Sequence, residues 1–126
     1  MKTPLILAFV AGLLALSACE KQVEAPMDAG ICWHVVFPKD QPPKFNRLVS
    51  NQPNLETCAA ALESMRVKFL RMGGGNDSIV GAYQGKFIFL QREGIFTGNT
   101  LTGGRYLALV RTGDGRLAIP GAMPSQ

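Results

Sequence analysis

The sequence predicts an α+β domain: one amphipathic helix packed on a small, mostly antiparallel sheet of four to five strands. Three patterns along the 126 residues support this class, namely a dense apolar run, then a stretch with helical periodicity, then two successive hairpin patterns. They give the element order β-α-β-β-β-β, and such an order places helix and sheet in separate layers. A chain of this length builds one core, so we expect a single globular domain over residues 31–120.

The first strand is predicted over residues 31–37, which are rich in β-branched and aromatic side chains and stop at Pro38. Residues 38–53 contain four prolines and are predicted to form a loop.

A helix is predicted from Asn54, which can cap its first turn. Apolar residues then recur at helical spacing, at Leu55, Cys58, Leu62, Met65, Phe69 and Met72. The opposite face carries the polar residues Glu56, Glu63, Arg66 and Lys68. Three glycines at residues 73–75 end the helix, because glycine adopts left-handed backbone conformations without a steric penalty.

Two hairpins follow the helix. Apolar runs at residues 78–83 and 86–92 are separated by Gln84 and Gly85, a pattern typical of a tight turn. Residues 95–97 are predicted as a short extension or a bulged edge. Runs at 105–111 and 116–119 flank a Gly- and Asp-containing turn and form the second hairpin, and residues 121–126 are predicted to be a tail.

Both faces of the predicted sheet are apolar. On the first strand, alternation directs Cys32, His34 and Val36 toward the helix, and the other face also consists of large apolar side chains. One helix cannot cover both faces. Either the sheet curls into a half-barrel or the second face is a patch that meets a partner. The candidate binding surface consists of Trp33, Val35, Phe37, Tyr83 and Tyr106.

The N-terminus has the pattern of an export signal. Lys2 is followed by an uncharged segment at residues 5–16, which is too short to span a bilayer but suits a signal peptide. The sequence Leu16-Ser17-Ala18-Cys19 then resembles the lipobox of bacterial lipoproteins: an aliphatic residue, two small residues and a cysteine. An ordinary cleaved signal and an uncleaved anchor are the alternatives.

The resemblance to lipoproteins implies removal of residues 1–18, a covalent lipid such as palmitate on Cys19, and a membrane anchor in the cell envelope. Residues 19–30 mix charge with Pro and Gly and are predicted to be a flexible tether. Glu20, in place of the Asp typical of inner-membrane retention, favours the periplasmic face of the outer membrane if the cell is Gram-negative.

Lipidation of Cys19 would leave Cys32 and Cys58, an even pair that the oxidising periplasm favours as a disulfide. Two other interpretations of Cys32, His34 and Cys58 are a zinc site and a reactive thiol. A zinc site lacks a fourth ligand, and we expect neither a metal nor a cofactor besides the covalent lipid.

Composition and motifs exclude several classes of function. The net charge of +4 comes from Lys and Arg residues spread singly, which does not suit a nucleic-acid interface. A single histidine and the lack of a Gly-x-Ser-x-Gly motif speak against hydrolysis. We therefore expect no enzyme, but a binding or accessory module for another envelope component, such as a protein, with its oligomeric state left open.

The alternative is a glycan or peptidoglycan module that stacks sugars on exposed Trp33 and tyrosine rings. A strand before a helix and a hairpin after it resembles the arrangement in peptidoglycan-binding SPOR domains. Those domains have a second helix between later strands, where this chain has Gly94, Gly98, Gly103 and Gly104. A small thiol or metal enzyme on Cys32, His34 and Cys58 is a third hypothesis.

Overall fold

The residues that the structure describes form seven strands and one helix. A computed structural model describes residues 22–75 and 77–121. The predicted signal peptide, the predicted lipid site Cys19 and residues 122–126 of the predicted tail lie outside these ranges. The strands are β1 (Cys32–Val36), β2 (Lys44–Val49), β3 (Ile79–Tyr83), β4 (Lys86–Gln91), β5 (Gly94–Gly98), β6 (Tyr106–Arg111) and β7 (Leu117–Ala118), and the helix is α1 (Leu55–Arg71).

The strands form one antiparallel sheet in the order β2-β1-β3-β4-β5-β6-β7. Helix α1 packs against one face of this sheet, which confirms the α+β class. The predicted count of four to five strands was too low, and the sheet does not close on itself.

Strand β2 is the first strand that the prediction missed, because it lies inside the segment assigned to a loop. It pairs with β1, and Phe45 lies opposite Val35. As an edge strand it packs along one side only, so its sequence carries exposed polar residues such as Lys44, Asn46 and Arg47 and does not read as an apolar run. The neighbouring prolines then made a loop the simpler interpretation.

Strand β5 was predicted only as a short extension or a bulged edge at residues 95–97, because two glycines lie at its ends. The structure has a register shift between Ile95 and Phe96, but β5 is a full internal strand. It pairs with β4 on one side and β6 on the other. At Gly98 a Cβ atom would lie 2.8 Å from the carbonyl oxygen of Gly104, so the return of the β5–β6 loop requires glycine there. The glycines therefore mark a close backbone approach within the sheet and not a break in it.

Helix α1 begins as predicted. The Asn54 side chain accepts a hydrogen bond from the backbone N–H of Thr57 at 2.9 Å. Arg66 was predicted on the exposed face but is buried. Its Nε donates to the carbonyl oxygen of Asp77 at 2.6 Å, and this hydrogen bond offsets the cost of removing the guanidinium from water. Phe69 and Met72, predicted on the packed face, are 38% and 78% exposed. Seventeen helical residues extend about 25 Å, further than the short strands beneath them.

The main core lies between α1 and the sheet, and the disulfide between Cys32 and Cys58 crosses it with an S–S distance of 1.99 Å. The predicted pairing is confirmed. At Gly81 on β3 a Cβ atom would collide with the Leu62 side chain and would lie 2.8 Å from the carbonyl oxygen of Trp33. Glycine at this position therefore lets the helix approach the centre of the sheet.

A second core occupies the other face of the sheet. Val35, Ala82, Phe87 and Phe89 are buried there, and Ala25 from the N-terminal segment packs against them. Further apolar side chains flank this cluster, namely Val23, Trp33, Phe45, Val80, Phe96 and Leu101. The face is thus covered by the chain's own N-terminal segment and by the β5–β6 loop, which neither of the two predicted alternatives included.

Residues 22–30, which we call the N-terminal strap, belong to the segment predicted as a tether. The strap is fastened to the turn between β3 and β4, where the N–H of Gly85 donates to the carbonyl oxygen of Pro26 at 2.8 Å. The N–H of Gly30 donates to the Gln84 side chain at 2.7 Å. Gln84 and Gly85 both have positive φ, as a tight hairpin turn requires.

Candidate functional site

The five residues of the predicted binding surface do not form one exposed surface, although Trp33 and Val35 both belong to the second core. Tyr83 belongs to the helix-side core and donates from its hydroxyl to the carbonyl oxygen of Gln52 at 2.7 Å. Val35 is buried in the second core. Phe37 and Tyr106 are 54% and 75% exposed. Phe37 follows β1 and Tyr106 lies on β6, and three strands, β3, β4 and β5, separate β1 from β6 in the sheet.

Trp33 is half-buried in the second core and does not offer a free ring face. It packs edge-to-face against Phe45 with ring centroids 6.5 Å apart, and the Arg47 guanidinium lies 5.8 Å from the Trp33 ring centroid. Its indole Nε1 has no hydrogen-bond partner among the described residues. The exposed tryptophan and tyrosine platform on which a glycan-binding function would depend is therefore not assembled here.

A surface groove lies between α1 and the hairpin of β6 and β7. It is half-open and has a volume of about 1130 Å³. The helix side is lined by Asn54, Glu56, Thr57, Ala60, Glu63, Ser64, Val67, Lys68 and Arg71. The hairpin side is lined by Leu109, Arg111, Gly113, Gly115, Arg116, Leu117, Ala118 and Ile119. We call this concavity the helix–hairpin groove.

The groove arises because one helix cannot cover seven strands. Helix α1 packs over β2, β3 and β4, so the part of the same face that β6 and β7 form stays open beside it. Small side chains at Ala60, Ser64 and Val67 line the helix flank that faces this opening. That stripe of small residues on the helix was the one sequence pattern that could have indicated the groove.

An ion-pair network joins the two walls of the groove. Glu63 on α1 accepts from both Nε and Nη2 of Arg111 on β6, at 2.7 and 2.9 Å, and from Arg66 at 3.2 Å. Arg111 also donates from Nη1 to the carbonyl oxygen of Gln91 at 2.7 Å. The Glu63 side chain is only 14% exposed, so this two-pronged pair is shielded from solvent and fixes the hairpin to the helix.

We expect Glu63 and Arg111 to be energetically coupled. A double-mutant cycle with Glu63→Ala, Arg111→Ala and the combined variant should give a coupling free energy of about 1 to 2 kcal/mol, because the pair is two-pronged and partly buried. Urea denaturation of the four proteins measures it. Arg92 and Asp77, an exposed pair, provide the matched control with a coupling of about 0.5 kcal/mol or less. Equal coupling in the two cycles would contradict this expectation.

The remaining charges of the groove are mostly positive. Lys68, Arg71 and Arg116 line it, and within the described ranges none of the three forms a salt bridge. Asp114 lies at the tip of the hairpin, where its carboxylate accepts from the Thr112 hydroxyl and from the N–H of Arg116. The hydrogen bond from Thr112 is the main cause that lowers the pKa of Asp114.

Cys32, His34 and Cys58 do not form a free thiol or zinc ligand set, because both sulfurs are engaged in the disulfide. In the described part of the chain, no group of three or more His, Cys, Asp or Glu residues is arranged to hold a metal ion. The His34 ring lies 6.2 Å from that of Phe69, and burial lowers the pKa of His34. The histidine is therefore favoured in its neutral form.

Stability should depend on pH through His34. Its pKa is lowered in the folded protein, so the unfolded chain binds the proton first, and stability falls as pH drops from above 6.5 toward the folded pKa. His34→Gln should lose this part of the pH dependence, measured by urea denaturation between neutral and mildly acidic pH. Because the chain has one histidine, NMR titration of its ring gives the folded pKa directly. A folded pKa at or above 6.5 would refute the expected direction.

Comparisons with known proteins leave the function to be argued from the site itself. No family model, no curated protein and no solved structure matches this chain. Among the described residues, α1 is not long and apolar enough to cross a membrane, and no other helix is present there.

Proposed function

We propose that this protein is a lipid-anchored binding module of the bacterial cell envelope that holds a segment of a partner protein in the helix–hairpin groove. The predicted lipid on Cys19 supplies the membrane anchor, and the domain acts by binding and not by catalysis. The proposal keeps the accessory role expected from the sequence, but transfers it from the Trp33 face to the groove.

The observation that carries the proposal is the groove itself. At about 1130 Å³ and half-open, it exceeds the usual volume of small-molecule sites, roughly 300 to 1,000 Å³, which bury most of their ligand. It combines apolar walls at Val67, Leu117 and Ile119 with charged side chains along its length. Ile119 is 57% exposed, so binding a partner would bury apolar area that is now in water.

Photocrosslinking in cells tests the site. A photoreactive amino acid is placed at Ser64 or Ile119 in the groove, and at Lys44 on the opposite edge of the sheet as the matched control. We expect the two groove positions to yield the same protein adduct and Lys44 to yield none of it. Absence of any adduct from both groove positions, or equal adducts from Lys44, would refute the proposed site.

The anchor is tested separately by intact-mass analysis of the membrane fraction. The processed chain should begin at Cys19 and carry the mass of acyl chains, whereas Cys19→Ser should abolish both the lipid and membrane retention. Durable anchoring needs more than one acyl chain, since a single chain binds only marginally. A mature protein that begins elsewhere or carries no lipid would remove the anchor from the proposal without affecting the groove.

A further inference from the structure

We infer that the occupant of the helix–hairpin groove is an acidic, partly apolar peptide segment, whose carboxylates lie against Lys68, Arg71 and Arg116. This inference rests on the proposed function and deepens it, because it names the chemistry of the partner. It follows from the distribution of charge in the groove, from the length of the groove, and from the side of the sheet on which the groove opens.

The charge distribution is uneven along the groove. Glu63 already faces two arginines, Arg66 and Arg111, so it offers no free negative charge to a ligand. Glu56 near the start of α1 is the other acidic lining residue, while Lys68 and Arg71 lie in the last turn. The end of the groove beside the last turn of α1 is therefore cationic.

The helix dipole explains only part of this charge. Lys68 and Arg71 would be favourable at the C-terminal end of any helix. Arg116 is on the facing hairpin, where its charge also interacts with the Asp114 carboxylate, but Arg116 lines the groove and Asp114 does not. Cations on both walls make a site for a ligand that carries carboxylates.

The apolar part of the groove imposes a second requirement on the ligand, in addition to its carboxylates. Ala60 and Val67 on the helix face Leu117 and Ile119 on the hairpin, so the ligand must present apolar groups between its carboxylates. The helix that forms one wall is about 25 Å long, which corresponds to roughly seven residues of extended chain. A peptide segment meets both requirements, whereas a single inorganic anion meets neither.

The side on which the groove opens favours a protein over the anionic membrane surface. The N-terminal strap packs on the second face of the sheet, where Ala25 contacts the second core, and α1 with its groove lies on the first face. The strap, which follows the predicted lipid site along the chain, therefore packs on the face of the sheet opposite the groove.

Selection from a random eight-residue peptide library on phage tests the inference, with the full processed chain in detergent as bait. We expect the enriched peptides to carry two or more Asp or Glu residues interspersed with apolar ones. A fluorescent copy of the most enriched peptide should bind Lys68→Glu/Arg71→Glu at least tenfold more weakly than wild type. Lys44→Glu, which changes the charge by the same kind of substitution on the opposite edge, should bind it unchanged.

The other outcomes each overturn the inference. Enrichment of basic or uncharged peptides, no enrichment, or equal loss of binding in the Lys44 variant would show that the groove does not select acidic segments. The Cys19→Ser chain, which carries no lipid, is also tested for binding to phosphatidylglycerol vesicles. If it binds them and the Lys68→Glu/Arg71→Glu substitutions abolish this binding, the two cations recognise lipid headgroups and not a peptide. If photocrosslinking still gives a groove adduct, the proposed function survives while this inference fails. Far-UV circular dichroism confirms that each variant is folded.

Discussion

Replacing Cys32 and Cys58 together by alanine should lower the free energy of unfolding by about 3.5 kcal/mol. The disulfide closes a separation of 26 residues, and a cross-link of that span removes this much conformational freedom from the unfolded chain on the loop-entropy model. The loss is a large fraction of the roughly 5 to 15 kcal/mol that stabilises a typical domain. Urea denaturation followed by the fluorescence of Trp33, the one tryptophan, measures it.

Replacing both cysteines avoids a buried unpaired thiol, so the measured change reports the cross-link itself. Wild type treated with a reductant should show a similar loss, whereas Cys19→Ser should show none. A loss below about 1 kcal/mol in both the variant and the reduced wild type would mean that packing around the bridge, and not the bridge, carries this stability.

Phe87→Ala should destabilise the domain by about 3 to 5 kcal/mol, the range for removing a buried aromatic ring. Phe87 is fully buried at the centre of the second core, where its ring contacts those of Phe45 and Phe89 at centroid distances of 6.2 and 6.4 Å. The measurement is again urea denaturation. The effect should be large because the Phe87 ring is fully buried, so the surrounding side chains can fill the cavity only in part.

Phe37→Ala provides the matched control, because the same change is made at a phenylalanine that is 54% exposed. Phe37→Ala should lower the free energy of unfolding by less than about 1 kcal/mol. If Phe87→Ala were as mild as Phe37→Ala, the second core would not contribute to stability, and the strap would have no energetic reason to lie where it does.

Local sequence patterns correctly predicted the elements that depend on a single short-range interaction. Asn54 caps α1 because its side chain satisfies a backbone N–H that no helical carbonyl reaches. Gln84 and Gly85 form a hairpin turn because two successive positive φ angles are needed there. Both constraints act over a few residues, so neighbouring sequence was sufficient to predict them.

The missed elements depend on partners that are distant in sequence. Strand β2 is a strand because β1 lies beside it, and its exposed side chains give it no apolar signature of its own. Arg66 looked exposed by helical periodicity, but the carbonyl of Asp77 accepts from its guanidinium and accounts for its burial. The burial of a polar residue whose hydrogen-bond partner comes from another segment cannot be predicted from residue spacing alone.

The predictions about the candidate site succeeded or failed for the same reasons. Cys32 and Cys58 were paired by counting cysteines after the lipobox resemblance, and the structure joins them. The binding surface around Trp33 was placed on a face that the strap and the β5–β6 loop in fact cover. The groove was not predicted, because it depends on how many strands the helix leaves uncovered.

The sequence alone determined the α+β class, the residue at which the helix begins, the two hairpins and the disulfide. Each of these depends on hydrophobic periodicity, turn chemistry or a count of cysteines. Only the tertiary structure decided the strand count, the covering of the second face and the groove between α1 and the β6–β7 hairpin. The physical reason is that burial depends on the whole chain. Which apolar face meets solvent is settled only when every segment has been placed.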